Sequence, residues 1–422
     1  MSNETTYALK PGRPEWLAKL QAGALEDFCG QGFPHKRLEQ WRYTDLAKMA
    51  QRSEQYLSED ETNGSASVIY TDENSLRLVF RDGAFDAAAS NLESANLSVR
   101  LLESALDEEN LSSNLSAGAS SLSRLNLAQM DTGAVIDIND NAVIQPPLHI
   151  VFDNTRARNI YPRIVVRAGK NASATIVEHH LGSAASNSIA VTDIDCADGA
   201  NLTYQKVQEE SAGAYHVAEQ TIRLQRDATC NFLNIDLGAA IARNDLRIHL
   251  LQPGADASAT GLFLVDGTRL ADNHLYLAHE APHCTANAHY AGVMADKGRG
   301  VFNGMIHVFK DAQKTDAALY NKNLLLSKGA EINTKPELEI YADDVKCAHG
   351  STTGQLDPTS LFYLRARGIP ERQARNMLIQ SFAAEVFQHI ATEELREHVR
   401  QAVENRLNEL GAAIEIADGE TG

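Results

Sequence analysis

Apolar and polar positions change rhythm three times along this chain. Between residues 13 and 50 the spacing predicts helix: "RPEWLAKLQAGALEDF" starts near Pro14 and carries Trp16, Leu17, Leu20, Leu25 and Phe28 about one turn apart. A polar stretch at 53–67 reads as a linker or loop, and "SLRLVFRDGAFD" reads as a strand pair turning at Asp82-Gly83. Residues 91–130, rich in Ser, Leu and Asn, are expected to be helical in part. From about 140 short β-branched runs alternate with Gly, Asp, Asn and Ala, and after 365 a helical period returns. There Ala374, Met377, Leu378, Phe382, Val386 and Ile390 are expected on one face. Leu395, Val399, Val403, Leu407 and Leu410 form a second apolar stripe before a frayed end, "EIADGETG". These two helices are expected either to cap the β region or to dock a partner.

The β region carries a repeat. "NASAT", "GANLT", "DATCN" and "GADAS" place Ala172, Ala200, Ala228 and Ala255 at steps of 27–28 residues, and "HCTAN" at Cys284 and "GAEIN" at Ala330 fit more loosely. A fixed period of this size implies stacked coils, none of which buries its apolar face alone. Ala174, Leu202, Cys230 and Ala257 should then ladder through the interior, with Cys230 a small buried hydrophobe. The expected fold class is mainly β, with a β-solenoid core between helical N- and C-terminal regions; a large antiparallel sandwich is the competing arrangement. The expected organisation is an N-terminal helical region (1–65), a mixed connecting region (66–140), the solenoid (141–365) and a C-terminal helical region (366–422).

Composition narrows the function. A formal net charge of −18 over 422 residues disfavours nucleic acid and anionic lipid as partners. No apolar run reaches the ~20 residues of a membrane span. The first residues have no apolar signal-peptide core, and the five cysteines are odd in number and widely spaced. The reading is a cytoplasmic protein with reduced thiols.

Motifs for chemistry are few. No phosphate-cradling Gly-rich loop occurs, so this chain is expected to bind no nucleotide. "HEAPH" (279–283) matches the zinc-hydrolase pattern His279-Glu280-x-x-His283, but Pro282 would break the helix that pattern needs. His274, His279, His283, Cys284 and His289 form a local cluster whose role the residues leave open. Asp343 and Asp344 are expected at a turn, their side chains diverging. Cys347 and His349 are different: two residues apart on an extended chain, they share a face at roughly 6.5–7 Å between Cα atoms. Both are metal-ligand types, and two ligands are half of a closed site. The rest must come from a distant loop, a substrate or another chain.

Residues 296–369, "DKGRGVFNGMIHVFKDAQKTDAALYNKNLLLSKGAEINTKPELEIYADDVKCAHGSTTGQLDPTSLFYLRARGI", resemble the SufB/SufD family of SUF iron–sulfur cluster assembly scaffolds, with the SufD branch the nearer. "PHKRLEQWRYTDL" (34–46) resembles the entry segment of the same family; between 50 and 150 the likeness is faint. The resemblance implies a right-handed parallel β-helix and a non-catalytic scaffold subunit. Its partners would be SufB, through β-helix pairing, and the SufC ATPase, through the C-terminal helices. Arg375, Leu378 and Phe382 are the candidate SufC contacts. A transient iron–sulfur cluster or iron would sit at the SufB interface, with His349 and Cys347 the candidate metal residues; separately, an exposed β-helix edge would allow isolated chains to pair as a homodimer. The rival readings are a β-helix carbohydrate-active enzyme and the zinc hydrolase.

Overall fold

The computed structural model describes residues 7–57, 67, 75–106, 111–112, 115, 118–130 and 132–419, with side chains as far as 408. Most of the polar stretch expected as a linker, 58–66, and parts of the expected helical stretch 91–130 lie outside the described residues.

Helices α1 (Glu15–Gln31) and α2 (Ala47–Gln55) open the chain. The first strands are β1 (Leu76–Arg81), β2 (Ala84–Phe85) and β3 (Leu97–Leu101), followed by α3 (Leu102–Ala105) and α4 (Ser121–Gln129). Then come β4 (Thr132–Ile138), β5 (Leu148–Asp153), β6 (Asn159–Ile160), β7 (Pro162–Ala168), β8 (Ser173–Leu181) and β9 (Asn187–Cys196). The regular coils continue as β10 (Asn201–Gln208), β11 (Tyr215–Leu224), β12 (Thr229–Asp236), β13 (Ile241–Leu250), β14 (Asp256–Val265), β15 (Leu270–His279) and β16 (Thr285–Met294). The last strands are β17 (Arg299–Val308), β18 (Asp316–Leu325), β19 (Glu331–Ile340) and β20 (Lys346–Gly354), before α5 (Pro358–Ala366), α6 (Glu371–Phe387) and α7 (Glu393–Gly419).

From β7 onward successive strands go to opposite sheets. One sheet runs β2-β1-β5-β8-β10-β12-β14-β16-β18-β20, and the other β19-β17-β15-β13-β11-β9-β7-β4-β3. Every rung from β4 and β5 onward is parallel, which excludes the antiparallel sandwich and gives a flattened β-solenoid. The hairpin expected at Asp82-Gly83 is present, both residues having positive φ.

The sequence repeat maps onto one corner of the coil. Asn171, Gly199, Asp227, Gly254, His283 and Lys314 all take positive φ. The residues after the first five, Ala172, Ala200, Ala228, Ala255 and Cys284, are buried. These corners stack closely: a Cβ on Gly254 would lie 2.0 Å from Asp227 Oδ1. The "GAEIN" unit belongs elsewhere, because Ala330 opens β19 on the opposite sheet. The expected interior ladder forms in register, Ala174–Leu202–Cys230–Ala257, and continues through Ala286 and Ala317 to Cys347.

Helices cover the outer faces of both sheets. α1, α3 and α4 pack apolar residues on Val135 and Val165, and Phe28, Trp41 and Met49 continue onto Ile189, Tyr215 and Val217. The 34–46 segment is pinned there by Arg243, which stacks 3.7 Å from the Trp41 ring and bonds Gln40 O at 2.8 Å. Arg243 also pairs with Asp272 at 2.5 Å, and Asp272 accepts from Thr44. On the other sheet, α6 and α7 bury Ile379, Ala383, Val386, Phe387, Leu395, Val399, Val403 and Leu407 against Val207, Leu233, Ile235, Leu262 and Leu264. The C-terminal helices therefore lie along the flank and cap neither end. Of the face expected on α6, Ala374, Val386 and Ile390 are buried and Leu378 and Phe382 half-buried, but Ile379, Ala383 and Phe387 are also inside and Met377 is 42% exposed. α7 stays helical to Gly419, past the point where fraying was expected.

Candidate functional site

Cys347 and His349 lie on β20, the terminal strand of their sheet, whose one ladder partner is β18. Cys347 pairs in register with Ala317, and His349 with Leu319. Both partners are fully inside the solenoid, so the motif occupies two consecutive inward positions. The His349 rung runs back through Ala288, Ala259, Phe232 and Tyr204 to Ile176, all core residues. Among the described residues no later coil stacks on β20, and Cys347 is half-buried and His349 exposed. The imidazole thus takes a core position and still meets solvent at the open end. Burial pushes the Cys347 thiol above its ordinary pKa, with Asp316 adding to the rise. The expected turn precedes the motif: the Asp344 backbone N–H donates to Gln313 Oε1 at 3.0 Å, and the Asp344 carboxylate pairs with Lys314.

Among the described residues no group of three or more His, Cys, Asp or Glu side chains is placed to hold a metal. The residues of "HEAPH" diverge. His279 ends β15 with its ring buried, and burial lowers its pKa to about 4. Glu280 bonds His249 Nδ1 at 2.7 Å, and His283 sits exposed in a turn at φ 60°. With no helix there, the zinc-hydrolase geometry is absent. The rest of the 274–289 cluster is also dispersed: His274 lies 2.9 Å from Asp272, Cys284 bonds Gln252 O at 3.3 Å, and His289 stacks on Tyr320.

The candidate partner contacts on α6 have different surroundings. Phe382 packs against the apolar layer under the helix. Leu378 and Arg375 are half-buried, and α6 is tied to the sheet by Lys322–Glu385 at 2.7 Å. The larger exposed apolar surface is on α5, which buries no residue and shows Phe362 at 73% and Tyr363 at 55% exposure, with Arg367 stacked 4.3 Å from the Tyr363 ring. The helix is well started, Asp357 accepting from the Thr359 and Ser360 amides with Pro358 next. Leu361 and Leu364 of the same helix are half-buried. α6 and α7 also frame a polar cleft of about 430 Å³ lined by Arg372, Asn376, Gln380 and Glu404.

Among the described residues no helix is long and apolar enough to cross a membrane. Residues 151–382 match the family described as SUF system FeS cluster assembly, SufBD core domain. The chain is 30% identical to a SufBD family iron–sulfur cluster assembly protein of Synechocystis, over 92% of this chain and 91% of that one. It is likewise 30% identical to the iron–sulfur cluster assembly protein SufD of Escherichia coli, over 91% of each. A chloroplastic protein of Arabidopsis thaliana, ABCI7, is 27% identical over 65% of this chain and 60% of its own.

Proposed function

Because this chain belongs to the SufBD family of the SUF iron–sulfur cluster assembly system, we propose that it is a non-catalytic SufD-type subunit of the cytoplasm that completes a cluster-assembly site with SufB. The observation that carries this reading is the Cys347–His349 pair on uncovered inward positions of the last coil. A thiolate and an imidazole are suitable ligands for iron, but closure needs about four donors. A second β-solenoid stacked end to end would bring the remainder. Two donors leave the coordination shell half empty. The isolated chain is therefore expected to hold iron weakly, the nascent cluster being cargo that both subunits share.

The two exposed edges differ. β19 carries Lys335, Pro336, Glu337 and Glu339, the features that blunt an edge against pairing. After Lys346, β20 is "CAHGSTTG", uncharged apart from any proton on His349 and without proline. β20 is thus the edge on which a partner sheet adds, and the same edge allows a homodimer when SufB is missing. For the SufC ATPase, the apolar face of α5 is the better anchor, with Arg375, Leu378 and Phe382 behind it on α6. ATP-driven movement of SufC would then open and close the SufB junction, a gating role with no chemistry by this chain.

Co-expression with tagged SufB and SufC tests the reading. Recovery of this chain with both, and a cluster chromophore in the complex, is expected. Recovery with neither overturns it.

A further inference from the structure

Five of the 14 histidines gather around the end of β8, although they are scattered from 149 to 398 in sequence. His180 and His216 face the interior, with ring centroids 4.5 Å apart, and Glu178 and Glu210 stand against them at 2.5 and 2.8 Å. His149 and His179 lie on the outer face of the sheet, and His398 reaches this layer from α7 itself. The His149 and His179 rings are nearly parallel, centroids 5.2 Å apart, with Nδ1 of the first 3.0 Å from Nε2 of the second. Both are buried. A nitrogen–nitrogen hydrogen bond needs one ring donating and the other accepting, so it requires at least one neutral imidazole.

α7 closes this layer. Val399 and Val403 share an apolar cluster with Val177 and Val207, and His398 bonds Glu209 at 2.6 Å. Other anchors are insensitive to mild acid: Gln205 bonds His389 O and the Ala391 amide just before α7, and Arg406 bonds Leu237 O and lies 3.6 Å from Asp266. The charged or titratable groups facing His179 are His149 from β5, Glu178 and His180 from β8 itself, and His398 from α7. Glu209, after β10, is already engaged by His398.

We propose that the His149–His179 layer is an acid-sensitive seat for α7, and that its protonation releases the helix from the solenoid while the β-core stays folded. A second proton on the stacked pair would place two cations about 3 Å apart, away from water, and lifting α7 rehydrates both. Burial already pushes the His179 pKa well below its ordinary value, with His149 and His398 adding to the depression. The sign follows: the open form binds the proton more tightly. The seat is at full strength above the ordinary histidine pKa of about 6.5 and weakens as pH falls below it, until the depressed folded value is reached. One such proton makes opening about tenfold more favourable per pH unit. The consequence for assembly rests on the docking role proposed above, since α7 backs the α6 dock.

Hydrogen exchange of the full chain alone, between about pH 5 and pH 7.5 and corrected for intrinsic rates, separates the two claims. Opening in 393–408 is expected to rise about tenfold per unit below pH ~6.5, with no such rise in 15–31. His179→Asn or His149→Gln, each checked for a native melt at neutral pH, should flatten that slope. Equal slopes in both helices overturn the proposal, as does an unchanged slope in both folded variants. Neither outcome depends on whether SufC binds α5–α6.

Discussion

At Cys347 the decisive feature is register. The same inward position is Ala, Leu or Cys in the preceding coils, and at Cys347 it is partly open because no further coil covers it among the described residues. Cys196, Cys230 and Cys284 are buried thiols, whereas Cys347 is partly open. Stoichiometric labelling with a small thiol reagent is therefore expected to modify Cys347 well before those three, and SufB should protect it. Labelling of Cys230 at an equal rate would mean that the coils do not stack as described. A second residue-scale prediction concerns the entry segment. Arg243→Ala leaves the buried Asp272 carboxylate without its cation, which costs about 3–5 kcal/mol in chemical denaturation. A loss below about 1 kcal/mol would show that the latch is dispensable. The Cys-x-His pair was legible in sequence because strand alternation fixes which residues share a face. Its position at an open coil end was not, because that depends on where the stack stops.

Among elements, amphipathic spacing announces that a helix has a buried face but not what covers it. α7 buries Leu395, Val399, Val403 and Leu407 as its stripe implies, yet its cover is the sheet flank, not the solenoid end. On α6 the face is set by close approach to that flank, which selects Ile379 and Ala383 over the flexible Met377. On α5, Phe362 and Tyr363 face out while Leu361 and Leu364 are half-buried. Phe362→Ala with Tyr363→Ala is therefore expected to weaken SufC binding by about 2 kcal/mol or more, roughly thirtyfold, in calorimetry, with no loss of fold stability. Unaltered affinity would move the dock off α5. Truncation after 370 is a poorer test, because it uncovers Val207, Leu233, Ile235, Leu262 and Leu264. The histidine layer escaped the sequence for a related reason: His149, His179, His180, His216 and His398 meet through coil stacking and helix docking, not through local spacing.

For the whole molecule, the alanine repeat carried the architecture, because each turn residue with positive φ fixes a corner and each following Ala or Cys fills it. The polar interior of the middle coils gave no comparable signal. Glu178 lies inside with His180, Tyr204 and Thr192 around it. Burial alone would raise its pKa, but His180, Tyr204 and Lys206 outweigh that and hold it at about 2. The stability it contributes is present above the unfolded value of about 4.5 and is lost as pH falls toward 2. Acid titration of unfolding should show this as a loss of order 3 kcal/mol that Glu178→Gln removes from the slope. An identical acid slope in a folded Glu178→Gln variant would contradict it. At the same scale, the open coil end is the feature on which function turns. The most direct measurement is cluster content, by visible absorption and iron analysis, in complexes with SufB and SufC carrying either the native chain or His349→Ala. The variant is expected to assemble and melt like the native chain while retaining almost no cluster. A full complement of cluster in an intact His349→Ala complex would contradict the account.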